Sequence, residues 1–185
     1  GGLVPSPKLY SASFSMITSQ TLRAAFAAAF IGLGAVAAQA QQTVQTWLML
    51  KDSSQETFFV TDGVEKARLL KTGWKIDGTG FLLAKPADGT VGMVRFAKGS
   101  EMGSDRIFAI TPEQGEAAVK AGYAKEGLMG QVSATQITPE MIPVYHFIKG
   151  SRNLWLLQKS DQAWAEKSGW KDEGIAFWLW ASPSS

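Results

Sequence analysis

The groups in this 185-residue chain most able to carry chemistry include three carboxylates in matching settings. Asp77, Glu126 and Glu173 close the segments Gly73-Trp74-Lys75-Ile76-Asp77-Gly78, Gly122-Tyr123-Ala124-Lys125-Glu126-Gly127 and Gly169-Trp170-Lys171-Asp172-Glu173-Gly174. Paired acids hydrolyse glycosides when they stand about 5 to 9.5 Å apart in one cleft. An acid that recurs between a helix end and a strand is more economically an acceptor for backbone N–H groups or a partner for a neighbouring unit. The three acids, with all six glycines, are therefore assigned structural roles. So are Trp74, Tyr123 and Trp170, read as wedges between helix and sheet, each stabilising by about 3–5 kcal/mol if buried.

A second set of residues is not demanded by that recurrence. Trp178 and Trp180 alternate along one strand, on one face, and together form an apolar platform with N–H donors at its edge, suited to sugar faces or a protein partner. Trp155, Arg95, Arg106, His146 and Asn153 are the other candidate binding residues. His146 is the only histidine. It could serve as a general base beside a serine or carboxylate, but no Gly-x-Ser-x-Gly elbow, phosphate-binding loop or dinucleotide fingerprint accompanies it. No catalytic residue is assigned. With no cysteine and one imidazole, thiolate nucleophiles, disulfide scaffolds and metal sites built on two histidines are excluded, so no metal or cofactor is expected.

Charge narrows the partners further. The formal net charge is +2, yet residues 1–40 hold Lys8 and Arg23 and no acid, leaving sixteen bases and sixteen acids beyond them. A neutral body lacks the basic patch that releases counterions from nucleic acid, so nucleic acid is not an expected partner. From Met16 the chain reads as a secretory leader: Arg23, an apolar run from Ala24 to Ala38, then Ala38-Gln39-Ala40 before Gln41. That run is shorter than the ~20 residues of a membrane-spanning helix, so no membrane span is expected after cleavage. Residues 1–15 read as an upstream extension, 16–40 as the signal peptide and 41–185 as one domain, placed in the periplasm or secreted.

The elements that must position these residues follow from start and stop signals. Thr111-Pro112-Glu113-Gln114 is a capping box with proline at the first helical position. Thr61-Asp62 and Ser160-Asp161 open two further short helices, and Gly73, Gly122 and Gly169 end all three as left-handed caps. Lys71, Lys120 and Lys167 stand near the negative helix ends. Period-two alternation marks first strands at 47–50, 93–96 and 144–147, second strands at 58–60, 107–109 and 154–156, and third strands at 81–83, 130–132 and 177–180. In the third strands Phe81/Leu83, Gly130/Val132 and Phe177/Leu179 are expected to face the core. Leu82/Ala84, Gln131/Ser133 and Trp178/Trp180 are expected to face away from it.

The segments around the Gly-aromatic-x-x-acid-Gly signature resemble a family of secreted tandem modules of unknown function, with a consensus near V-Y-R-x-Y, H-F-Y-T-T, a helix, and G-W-x-x-E-G-x-x-F. Such three-copy modules are often appended to secreted bacterial hydrolases. The likeness is best from Val144-Tyr145-His146-Phe147 to Gly169-Trp170 and Glu173-Gly174-Ile175-Ala176-Phe177. The consensus histidine of the second motif is replaced in all three copies, by Thr57, Arg106 and Asn153. The resemblance implies a noncatalytic accessory or binding module.

The expected fold is therefore α+β: three β-β-α-β repeats of about 47–49 residues (approximately 44–86, 90–134 and 140–182) sharing one core with pseudo-threefold symmetry. The expected function is an exported noncatalytic binding module for a cell-envelope glycan or an extracytoplasmic protein. The alternatives are a small secreted hydrolase using His146 and a periplasmic inhibitor or assembly subunit.

Overall fold

Glycine stops, hydroxyl or carboxylate starts and β-rich runs alternate through the chain, and each becomes an element boundary. The computed structural model describes residues 41–99 and 105–183; the expected leader and upstream extension lie outside these described residues. The elements run β1 (Thr43–Lys51), β2 (Glu56–Val60), α1 (Gly63–Leu70), β3 (Lys75–Leu83), β4 (Val91–Lys98), β5 (Asp105–Ala109) and α2 (Pro112–Lys120). They continue with β6 (Ala124–Val132), β7 (Met141–Lys149), β8 (Arg152–Leu156), a 3₁₀ turn (Lys159–Asp161), α3 (Gln162–Lys167) and β9 (Lys171–Trp180). No helix among the described residues is long and apolar enough to cross a membrane.

The expected fold class is corrected by the strand pairing. Three repeats around a threefold axis are not what forms: the nine described strands make a single antiparallel sheet in the order β5-β4-β6-β3-β9-β7-β8, with β1 pairing β2 and β3 off that path. A recurring local signature dictates the succession of turns and elements, whereas pairing is decided by which apolar surfaces close together. Those surfaces are unequal. Trp74 joins the largest buried cluster, with Leu48, Phe58, Phe59 and Trp155. Trp170 sits instead in a separate cluster with Phe147, Leu154, Leu156 and Ala165. Tyr123 is only partly buried, beside Phe96, Ala109 and Ala118. The shared core is thus one large cluster with satellites.

Helix ends obey local chemistry closely. Thr111 and Gln114 make the reciprocal capping box of α2, and the Asp62 carboxylate accepts from the Glu65 N–H at 2.6 Å to start α1. Gly73, Gly122 and Gly169 take φ of 86°, 88° and 81°, which only glycine adopts at little cost. The next residue then donates back to the last turn: Trp74 to Leu69, Tyr123 to Ala118 and Trp170 to Ala165. The lysines that reach the last carbonyls are not those the sequence points to. Lys98, at the end of β4, donates to Ala121 O at 2.9 Å, and Lys149, at the end of β7, donates to Ser168 O at 2.6 Å.

The long strands depart from simple alternation. β3, β6 and β9 begin immediately after the aromatic of the signature, so Asp77, Glu126 and Glu173 lie within strands. Bulges between Leu48 and Met49 and between Arg95 and Phe96 shift which side chains turn inward, and Leu48 and Met49 are both fully buried. Much of the outward face expected for the third strands is buried: Leu82, Gln131, Ser133 and Trp180 lie inside, whereas Ala84 is exposed and Trp178 half-buried.

Candidate functional site

Two polar clusters sit where the short strands β2, β5 and β8 approach one another. In the first, Arg95 on β4 and Arg106 on β5 meet Glu65 of α1 and Glu126 of β6. The Arg95 Nε lies 2.6 Å from Glu126 Oε2, and its Nη1 lies 3.0 Å from Glu65 Oε2 and donates to Phe59 O at 3.2 Å. Arg106 is 3.5 Å from Glu126 and 3.9 Å from Glu65, and its guanidinium lies 4.1 Å from the centre of the Phe58 ring. Burial lowers the Arg106 pKa, and the neighbouring Glu126 acts against that shift. Two bases facing two acids make a charge-neutral, mostly buried group.

The second cluster is built from uncharged groups around one acid. His146 on β7 stacks on Trp155 of β8, with ring centres 4.2 Å apart and planes 9° from parallel. Its Nε2 is 2.8 Å from Asn153 Oδ1, while the Asn153 amide donates to both Asp105 oxygens and to Tyr123 Oη. The Tyr123 hydroxyl also donates to Asp105. An asparagine whose NH₂ faces a carboxylate must present its carbonyl to histidine. Nε2 is therefore the protonated nitrogen of the neutral ring, and Nδ1 keeps its lone pair. Burial pushes the His146 pKa below its ordinary 6.5, partly opposed by Asn153, Glu173 and Asp105. Burial first, then Asp105, raises the Tyr123 phenol well above its usual value.

This second cluster opens into a groove of about 450 Å³. His146, Asn153 and Trp155 line it, with Glu173 of β9. Gln114, Ala117 and Ala118 of α2, Ala121 just past its end, and Ile107, Phe108, Ala109, Ile175 and Ala176 supply the rest of the lining, most of it apolar. Glu173 also bonds Lys171 at 2.6 Å, and that contact holds its carboxyl below the usual range. The groove offers an apolar wall, an imidazole, one carboxylate and an amide held by His146, Asp105 and Tyr123: a surface that can recognise a small polar molecule carrying an apolar face.

The predicted binding residues thus divide. His146, Asn153 and Trp155 come together at the groove, whereas Arg95 and Arg106 close on acids in the first cluster. Trp180 is 7% exposed and packs with Leu83 and Met141, and Trp178 packs on the same cluster, so the two indoles do not make an open platform. The signature acids also diverge. Glu126 pairs with arginines and Glu173 faces the groove, while burial, followed by the charge of Asp161, raises the Asp77 pKa. Sequence reasoning missed Asp105, which anchors Asn153 and Tyr123, and the α2 face of Gln114 and Ala117 with the capping Ala121. The alanines at i, i+1 and i+4 after a strong capping box were the available signal, since short side chains leave room beside a helix.

The profile of a family described as Domain of unknown function (DUF5648) matches residues 31–180. The chain belongs to the DUF5648 family. No curated protein and no solved structure matches it. In this DUF5648 domain the groove of His146, Asn153, Trp155 and Glu173 is accordingly read from its own chemistry.

Proposed function

We propose that this DUF5648 domain is a noncatalytic binding module acting outside the cytoplasm, and that its ligand is a cell-envelope glycan held in the groove between α2 and β9. The observation that carries this reading is the convergence of His146, Asn153 and Trp155, three of the candidate binding residues, with Glu173 beside an apolar wall. Sugars present both a C–H face and hydroxyls, and the groove offers both complements. The leader-like segment at residues 16–40 and the resemblance to secreted tandem modules support the location.

A noncatalytic role is supported by the groove's lining: among the described residues no serine, threonine or tyrosine hydroxyl lines it for the Nδ1 lone pair of His146 to activate. Retention on purified peptidoglycan tests the proposal. His146→Ala and Asn153→Ala are expected to weaken retention about tenfold each, the loss of one well-placed polar contact. Unchanged retention by folded variants removes the glycan reading, and capture of a protein instead of glycan transfers the groove to an assembly role.

A further inference from the structure

Helix α2 is lined by cavities on both sides. Its Gln114, Ala117 and Ala118 face the groove above, while Pro112, Gly115, Glu116, Val119 and Lys120 border a larger one of about 790 Å³ against β4. The floor of this second groove is Val94, Phe96 and Ala109. It is apolar because β4 turns Phe96 inward and Gly115 contributes no side chain where a Cβ would stand 3.4 Å from the Phe96 ring. Val119, 59% exposed, and Leu128, 61% exposed, extend the apolar surface outward.

Polarity is concentrated at one end. Phe96 pairs with Lys125 and Val94 with Leu128 in the β4–β6 register, so the groove runs from a lysine-bearing end toward an apolar end at Gly92. Lys120, the last residue of α2, lies at the same end as Lys125, close to the turn that joins α2 to β6. Among the described residues Glu116 is the one acid of the lining, against Lys120 and Lys125, which leaves that described rim with net positive charge. An apolar trough with cations at one end matches a molecule with a hydrocarbon tail and an anionic head.

We propose that this groove is a second binding site and that it takes a free medium-chain fatty acid, tail along Val94, Gly115 and Val119, carboxylate toward Lys120 and Lys125. The tail gains by leaving water, and the lysines select the charged end. The site lies on the other side of α2 from the glycan groove, the two sharing Ala109 in their linings.

Dodecanoate titrated into the purified protein, followed by backbone amide resonances, tests this. Saturable shifts are expected at Val94, Gly115, Val119 and Leu128. Gly115→Leu, which fills the trough, is expected to weaken binding at least about tenfold, and Lys120→Gln/Lys125→Gln about threefold. Val119→Glu, at an exposed position, provides a second blocking variant should Gly115→Leu fail to fold. Ile175→Glu, in the other groove, is expected to leave dodecanoate affinity unchanged while altering glycan retention. Absence of saturable shifts, or equal affinity in both blocking variants, overturns the site. Octyl glucoside binding as tightly as dodecanoate overturns the fatty acid assignment, as does sedimentation with phosphatidylglycerol vesicles without any response to dodecanoate.

Discussion

The two polar clusters invite comparison because each takes one residue from a first strand, one from the following short strand and an acid from the strand after a helix. In one, Arg95, Arg106 and Glu126 recruit Glu65 and close on themselves; in the other, His146, Asn153 and Glu173 line a groove. What separates them is charge. Two guanidiniums in a half-buried setting require two carboxylates nearby, because desolvated charge left unpaired is costly. A neutral imidazole and an amide carry no such demand, so one acid, Asp105, suffices to orient them and Glu173 is left to the groove. A binding surface arises where the buried polar groups are uncharged.

Trp155 belongs to both sides of this contrast, since its indole N–H donates to Arg106 O at 3.2 Å and its face carries His146. Trp155→Ala is expected to lose about 3–5 kcal/mol of stability in urea denaturation and to erase the groove floor. A loss below about 1 kcal/mol would show that the floor does not depend on this ring.

Next in size is Glu65→Gln/Glu126→Gln, which strands two guanidiniums and is expected to cost about 3 kcal/mol by the same measurement. Asp105→Asn, in the uncharged cluster, is expected to cost about 1–2 kcal/mol. Equal costs for the two changes would abolish the distinction drawn from charge.

The only histidine makes the third measurement clean. The His146 ring resonances are expected to titrate below pH 6.5, because burial disfavours the imidazolium. A folded pKa below the unfolded one means that the contribution to stability is complete above about pH 6.5 and is lost as pH falls through the folded value. His146→Gln is expected to flatten that slope. A ring that titrates above 6.5 would place a carboxylate, not burial, in control of the site.

The smallest effect is expected from Lys98→Met. The ammonium caps Ala121 O and lies 5.6 Å from the centre of the Tyr123 ring, so its loss is expected to cost under about 1 kcal/mol and to loosen the end of α2. Hydrogen exchange at Ala121 and Gly122 would register it, and no change there would assign the cap to Gly122 alone.

Features governed by neighbours in sequence were the legible ones. The capping box at Thr111 and the positive-φ turns at Gly73, Gly122 and Gly169 depend on a few adjacent residues, and those residues stand in the chain. The strands were visible but started too late, because Lys75, Ala124 and Lys171 are polar or small and lie on exposed strand ends. Sheet partnership was not legible, since it depends on how Leu83 meets Gln131 and Phe81 meets Trp180 across long separations. The bulges at Leu48/Met49 and Arg95/Phe96 also defeat a period of two. For the site, residue types were a partial guide: His146, Asn153 and Trp155 were found. The tryptophan pair failed as a platform because Trp180 packs with Leu83 and Met141, partners distant in sequence that the alternation within the strand does not announce. Asp105 carries no periodic signal and was missed.

Thr57 and Trp155 are tied by reciprocal hydrogen bonds of 2.8 and 2.6 Å across 98 residues of chain. A ribosome delivers β2 long before β8, so a nascent chain halted near residue 150 holds Phe58 and Phe59 without the ring that seals them. Synthesis therefore cannot finish this interior piece by piece: the last third of the polypeptide closes what the first third begins, and a shortened product is exposed to proteases along its earliest strands.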